Sequence, residues 1–160
     1  MKAWLRLTLI TMTVGGGLSG FTATLQQLSS FQSQPPASSV LMVGFLGLYA
    51  MVTISGLLFV QDQRRIVPLI IALAIQIPWV SSPIFAYRFT AAFHLTIGLI
   101  GGKLNGGFRL GSDWQCSLFQ KLPWGVGVNL FTLLIVILLA RSIRTPCYEP
   151  DAAHGKPSES

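Results

Sequence analysis

The chain has 160 residues, of which 51% are hydrophobic and only 10% charged, with a net charge of +6. Soluble domains average about 25% charged residues, and here the apolar residues come in blocks, so the composition points to a membrane class. No basic run alternates with aromatics, which argues against nucleic acid as a partner; the cations sit beside apolar blocks, where they read as topology and lipid-headgroup signals.

Four blocks approach the roughly 20 residues that a helix needs to cross a bilayer. The expected spans are residues 4–25, 40–60, 66–85 and 124–140. The first follows Lys2 and contains Arg6, which resembles a cleaved signal peptide. Against cleavage, the apolar run continues to Leu28, and Phe21 stands two positions before Ala23, a poor small-x-small site. Gly15, Gly16, Gly17 and Gly20 in this span, and Gly44 and Gly47 in the next, offer small-residue faces for close helix approach. The Ser29–Ser39 connector is uncharged, with serines and prolines, and suits an exposed loop. Arg64 and Arg65 follow the second span, and Arg141 and Arg144 follow the fourth. Four crossings put these cations and the N-terminal ones on one side. The positive-inside rule then makes both termini cytoplasmic and suggests a multi-pass protein of a bacterial inner membrane. Residues 145–160 are polar and read as a disordered cytoplasmic tail.

Between the third and fourth blocks the pattern changes. From Tyr87 to Leu99 the odd positions are apolar, whereas Arg88, Thr90, His94 and Thr96 lie between them. This period of two marks a half-buried strand. After the glycines the apolar parity moves to even numbers, at Leu104, Phe108, Leu110, Trp114, Cys116 and Leu118. A β-hairpin over about 87–119 accommodates the change. A Gly101-Gly102 turn pairs Leu95 with Phe108 and Phe89 with Trp114, whereas an Asn105-Gly106 turn pairs Ile97 with Trp114. Both are favoured turn dipeptides, and the sequence leaves the choice open. A fifth helix over 84–101 is the rival, but it would bury Arg88 and His94 in lipid. The expected fold is therefore a four-transmembrane-helix bundle with a small extracytoplasmic hairpin.

Chemistry-bearing residues are sparse. His94 and Asp113 share the polar face of the hairpin, with Ser112 and Ser117 nearby, but no nucleophile elbow accompanies them. The two histidines and two cysteines lack metal-ligand spacing, and no phosphate-loop motif follows the glycines. No catalytic residue, cofactor or metal is expected, and no family resemblance is carried by these residues. The functional expectation is a non-catalytic accessory or assembly protein that binds other membrane proteins, or a further copy of itself. It would bind through the small-residue helix faces and an apolar hairpin face of Phe89, Phe93, Phe108 and Trp114, rimmed by Arg88 and Arg109. The alternative is a small-molecule or lipid carrier with a helix-lined cavity formed by Gln76, Ser81, Ser82 and Asn129.

Overall fold

A computed structural model describes residues 3–29 and 36–144. The chain begins with a continuous helical rod made of α1 (Ala3–Ile10), a π-helical turn (Thr11–Gly15) and α2 (Gly16–Ser29). Helix α3 (Pro36–Gln61) starts on a proline, whose missing N–H is no loss in a first turn. Asp62 closes the next turn by accepting from the Arg64 backbone N–H at 2.9 Å, and α4 (Ile66–Ala74) follows. Strands β1 (Pro78–Ser81), β2 (Phe85–Thr90), β3 (Phe93–Ile100), β4 (Lys103–Leu110), β5 (Asp113–Leu118) and β6 (Gly125–Asn129) come next, and α5 (Leu130–Arg144) ends the described chain.

The four-span bundle with a small hairpin is overturned. Among the described residues one helix, Ser38–Gln61, is long and apolar enough to cross a membrane, and a six-stranded antiparallel sheet occupies the centre of the sequence. The multi-pass placement and the two-sided topology derived from it fall with the spans. The expected span 66–85 stops being helical at Ala74 because of Pro78. A proline ring clashes with the carbonyl four residues earlier, here that of Ala74, and the chain turns into β1 at the proline itself. The expected span 124–140 opens as a strand. Gly125 and Gly127 alternate with Val126 and Val128, and β6 pairs with β1 on one side and β3 on the other. A side chain at Gly127 would collide with the Trp79 indole and the Ile97 carbonyl. The helix begins only at Leu130, capped by Asn129, whose Oδ1 accepts from the Thr132 N–H at 3.4 Å. The expected tail, 145–160, lies outside the described residues, as do residues 30–35 of the first loop.

The alternating segment forms strands, as its period of two demands, and turns at Gly101-Gly102. Both glycines have positive φ, 56° and 78°, as a two-residue type I′ turn requires. The register is continuous from Ile100↔Lys103 through Leu95↔Phe108 and Phe89↔Trp114 to Phe85↔Leu118. It is one long hairpin with a bend at Ala91-Ala92 opposite Gly111-Ser112. The hairpin is not an isolated cap, however. Its two halves flank the β1–β6 pair, giving the strand order β4-β3-β6-β1-β2-β5.

That order forces the sheet to curl. In a flat sheet β2 and β3 would stand three strand spacings apart, about 14 Å. Thr90 and Phe93 are joined by three peptide steps, at most about 11 Å. The edges β4 and β5 would be about 24 Å apart when flat, yet Leu110 and Asp113 are joined by the same three steps. The sheet therefore rolls up at the bend.

The bend is wedged against the helices. Gly16 and Ala91 approach so closely that a side chain at Gly16 would meet the Ala91 carbonyl. The Ser112 hydroxyl lies 2.6 Å from the Gly16 carbonyl and 2.5 Å from that of Ala91, and its single proton serves one at a time. From the turn after α4, Gln76 accepts from the Ala91 N–H at 2.9 Å. Gly17 packs on Thr53, Gly20 on Tyr49 and Gly56 on Thr13, so these glycines serve contacts within the chain. Two apolar cores result. Leu5, Leu9, Met12, Phe59, Leu69, Leu73, Ile135 and Leu139 join the helices. Phe45, Tyr49, Val52, Ala72, Phe89 and Ala91 join α3 and α4 to β2 and the bend.

Candidate binding surfaces of the curled sheet

Alternation along each strand gives the sheet an apolar convex face and a polar concave one. The apolar face is continuous across the register. Leu99 lies beside Leu104 and Val126, Ile97 beside Val128, Leu95 beside Phe108, and Phe89 beside Trp114. Its fate differs from end to end. On the β2/β5 half, Phe89 is fully buried. Phe45 of α3 stacks on Trp114 at 4.6 Å and lies 5.9 Å from Phe89. Tyr87 donates its hydroxyl to the Ile75 carbonyl at 3.1 Å, and burial, then the neighbouring Cys116, pushes its pKa up to about 12. Cys116 packs half-buried on the same cluster, and burial raises its thiol pKa.

On the β3/β4 half, Phe93 packs on α5, its ring 5.5 Å from that of Phe131. Beyond it the face is uncovered. Leu104 is 73% exposed, Phe108 67% and Leu110 62%, with Leu95, Leu99 and Val126 exposed beside them. All eight residues of β4 are exposed, and β4 is an edge of the sheet. An edge strand presents unpaired N–H and C=O groups along its outer side. Proline, the strongest blocker of edge pairing, does not occur in β4, which carries only Lys103 and Arg109 as charges.

The six expected partner-contact residues therefore divide. Phe89 is core; Trp114 and Phe93 are half-buried against helices; Phe108 is free. Arg88 and Arg109 do not rim the apolar face. They stand on the concave side, where both meet the Asp113 carboxylate, at 2.8 Å and 3.3 Å.

The four expected cavity residues are not brought together. Gln76 donates to the Ala72 carbonyl at 3.0 Å and braces Ala91. Ser82 bonds Phe85, Ser81 donates to the Pro123 carbonyl at 2.9 Å, and Asn129 bridges β3 and α5. Each satisfies backbone groups at a strand or helix end. Of the four, Ser81 lines a cavity, and strands rather than helices enclose it.

That cavity, of about 130 Å³, lies inside the curl between Trp79, Ser81, Ala86, Arg88, Thr96, Ile100 and Gln115. Sequence reasoning missed it because it depends on β1, which was hidden in an apolar run. Near the bend, His94 is 5% exposed, and its Nδ1 has no hydrogen-bond partner among the described residues. Burial lowers its pKa, as do Arg88 and Arg109, while Asp113 opposes them. Nothing orients the imidazole toward a serine. Ser112 is tied to the bend, and the buried Ser117 hydroxyl is likewise without a partner. Among the described residues no three metal-ligating side chains gather.

No protein-family model, no curated protein and no solved structure matches the chain.

Proposed function

We propose that this is a non-catalytic binding protein that takes up an extended strand of a partner protein along β4. The observation that carries the reading is the coincidence of an uncovered apolar face with an open sheet edge, at Leu104, Phe108 and Leu110. An apolar face alone would suit lipid equally well. An unpaired backbone edge would not, because hydrocarbon offers it no hydrogen bonds. Another polypeptide strand satisfies both, with main-chain bonds for affinity and alternate side chains for specificity. The partner strand should carry apolar residues on one face. Its other face should carry acidic or neutral residues, to lie beside Lys103 and Arg109.

Photo-crosslinkers placed in turn at positions 104 to 110 in native cells test this. Protein adducts from 104, 108 and 110 on one face, abolished by Leu104→Glu with Phe108→Glu, would support it. Adducts with lipid alone, or protein adducts without dependence on face, would sink it. Adducts solely with a second copy would replace the partner by self-association.

A further inference from the structure

A second surface lies on the helices, away from β4, and its chemistry is different. Two cavities open along the seam between the N-terminal rod and α3. One, of about 380 Å³, lies where α1 meets the turn after α3 and is lined by Ala3, Arg6, Leu7, Ile10 and Gln63. The other, of about 190 Å³, is lined by Leu18, Phe21, Ala50, Thr53 and Ile54. The second is an apolar site, since the Thr53 hydroxyl is turned to the Tyr49 carbonyl of its own helix, at 2.9 Å.

Both cavities stand on one side of the seam. Leu7, Ile10, Val14, Leu18 and Phe21 recur at spacings of three and four residues, which keeps them on one face of the rod. Ala50, Ile54 and Leu57 do the same on α3. Between the cavities the helices touch where Gly17 meets Thr53 and where Gly56 meets Thr13 and Val14, so the groove has a closed floor. Leu7, Leu18, Ile54 and Leu57 along it are exposed. From Leu7 to Leu18 the rod rises about 16 Å, at roughly 1.5 Å per residue. One alkyl chain covers about the same length, half of a bilayer's hydrocarbon core of roughly 30 Å.

The charge sits at one end. Arg6 itself lines the first cavity, and its guanidinium has no ion-pair partner among the described residues. Asp62, the carboxylate of the turn after α3, is taken by the Arg64 backbone N–H and by Arg65. Gln63 adds an uncharged amide on the same cavity as Arg6, whereas no charged side chain lines the distal cavity. A groove with one cation at its mouth and apolar groups beyond it matches an amphiphile with one anionic head and one alkyl chain.

We infer that this groove binds a long-chain fatty acid, its carboxylate on Arg6 and Gln63 and its chain running past Ile10 and Val14 to Leu18 and Ile54. A guanidinium pairs with a carboxylate through two parallel N–H donors. One cation and one groove suit a single-chain acid, whereas a phospholipid brings a second chain. The site takes single lipid molecules and needs no helix to cross a bilayer.

Calorimetric titration of the purified full chain with octanoate, decanoate, dodecanoate and dodecanol, each below its micelle concentration at pH 7.5, tests the inference. Affinity should rise with chain length, by up to about fourfold per methylene. Dodecanol should bind about fivefold more weakly than dodecanoate, the scale of a surface ion pair. Arg6→Gln should weaken dodecanoate about fivefold and leave dodecanol unchanged. Ile54→Trp, at an exposed position, fills the distal cavity. It should weaken dodecanoate and spare octanoate, which is too short to reach that cavity; a damaged fold would weaken both. Absence of dodecanoate binding would overturn the site, as would dodecanoate binding unchanged in both variants. Equal binding of dodecanol and dodecanoate would overturn the charged end. Displacement of dodecanoate by an anionic phospholipid but not by excess hexadecanoate would overturn the fatty-acid class.

Discussion

The two halves of the long hairpin carry the same alternation and meet opposite fates. Phe89 and Phe108 are both phenylalanines on the convex face, yet one is fully buried and the other 67% exposed. The difference lies in what stands opposite. Phe45 and Tyr49 of α3 cover β2 and β5, whereas the apolar residues of β3 and β4 beyond Phe93 are left exposed. Period-two patterning thus reports which face is apolar, not whether the molecule itself covers that face.

The sharpest way to break this comparison is Phe89→Ala. The ring lies between Phe45, 5.9 Å away, and Tyr49, 4.8 Å away. Its loss leaves a cavity at the junction of α3 with the sheet and should cost about 3–5 kcal/mol in denaturant unfolding. A cost under about 1 kcal/mol would mean that the helices do not clamp this half of the hairpin.

How much of this was legible follows the range of the interactions. The hairpin was legible because parity and turn are local. Alternation named the apolar face, Gly101-Gly102 was one of two turns the sequence allowed, and Arg88 and His94 argued against a fifth helix. The two further strands were not legible as such, since PWVS and GVGVN sit at the ends of apolar runs whose remainder is helical. Their signals were present but read otherwise. Pro78 stands four residues after Ala74, where it must end a helix, and Gly125 and Gly127 alternate with valines. Gln76 and Asn129 looked like cavity polars because they interrupt apolar blocks. They interrupt them because helix gives way to strand there, and the exposed backbone needs their amides. The curl, and with it the concave cavity, follows from strand order, which no local pattern encodes.

The next effect concerns the bend, where the two halves meet. Gly16→Ala would drive a methyl into the Ala91 carbonyl, a backbone atom that cannot rotate away. A loss of about 1–3 kcal/mol is expected from such overpacking. Gly44→Ala, at an open helical position, should be neutral or stabilising by up to about 1 kcal/mol. Equal effects at the two positions in urea melts would mean that the bend is not wedged on α2.

A smaller effect should appear as a slope with pH. His94 is buried beside Arg88 and Arg109, and its folded pKa is lowered, chiefly by burial and then by the arginines. As pH falls below about 6.5 the unfolded chain takes up a proton that the folded one refuses. Stability is therefore full above that pH and declines as pH falls from 6.5 toward the folded pKa. Urea midpoints measured from pH 8 to pH 5 should decline only in the lower part of this range, and His94→Gln should flatten the decline. An unchanged slope in that variant would assign it to other groups.

The smallest expected effect on stability is the one that tests the uncovered half. Phe108→Ala removes as large a ring as Phe89→Ala, from the same face of the same hairpin. With 67% of the residue already in solvent, the change should stay within about 0.5 kcal/mol. Patterning cannot explain so large a contrast between the two phenylalanines; only the covering helices can. If Phe108→Ala instead destabilises the chain by 2 kcal/mol or so, the distal half is covered after all, by a second copy or another element. A concentration-dependent midpoint would identify the second copy, because dissociation then accompanies unfolding. If the variant is as stable as the parent but loses the protein adducts formed from position 104, the ring serves recognition alone, which is the separation of folding from binding that the two halves imply.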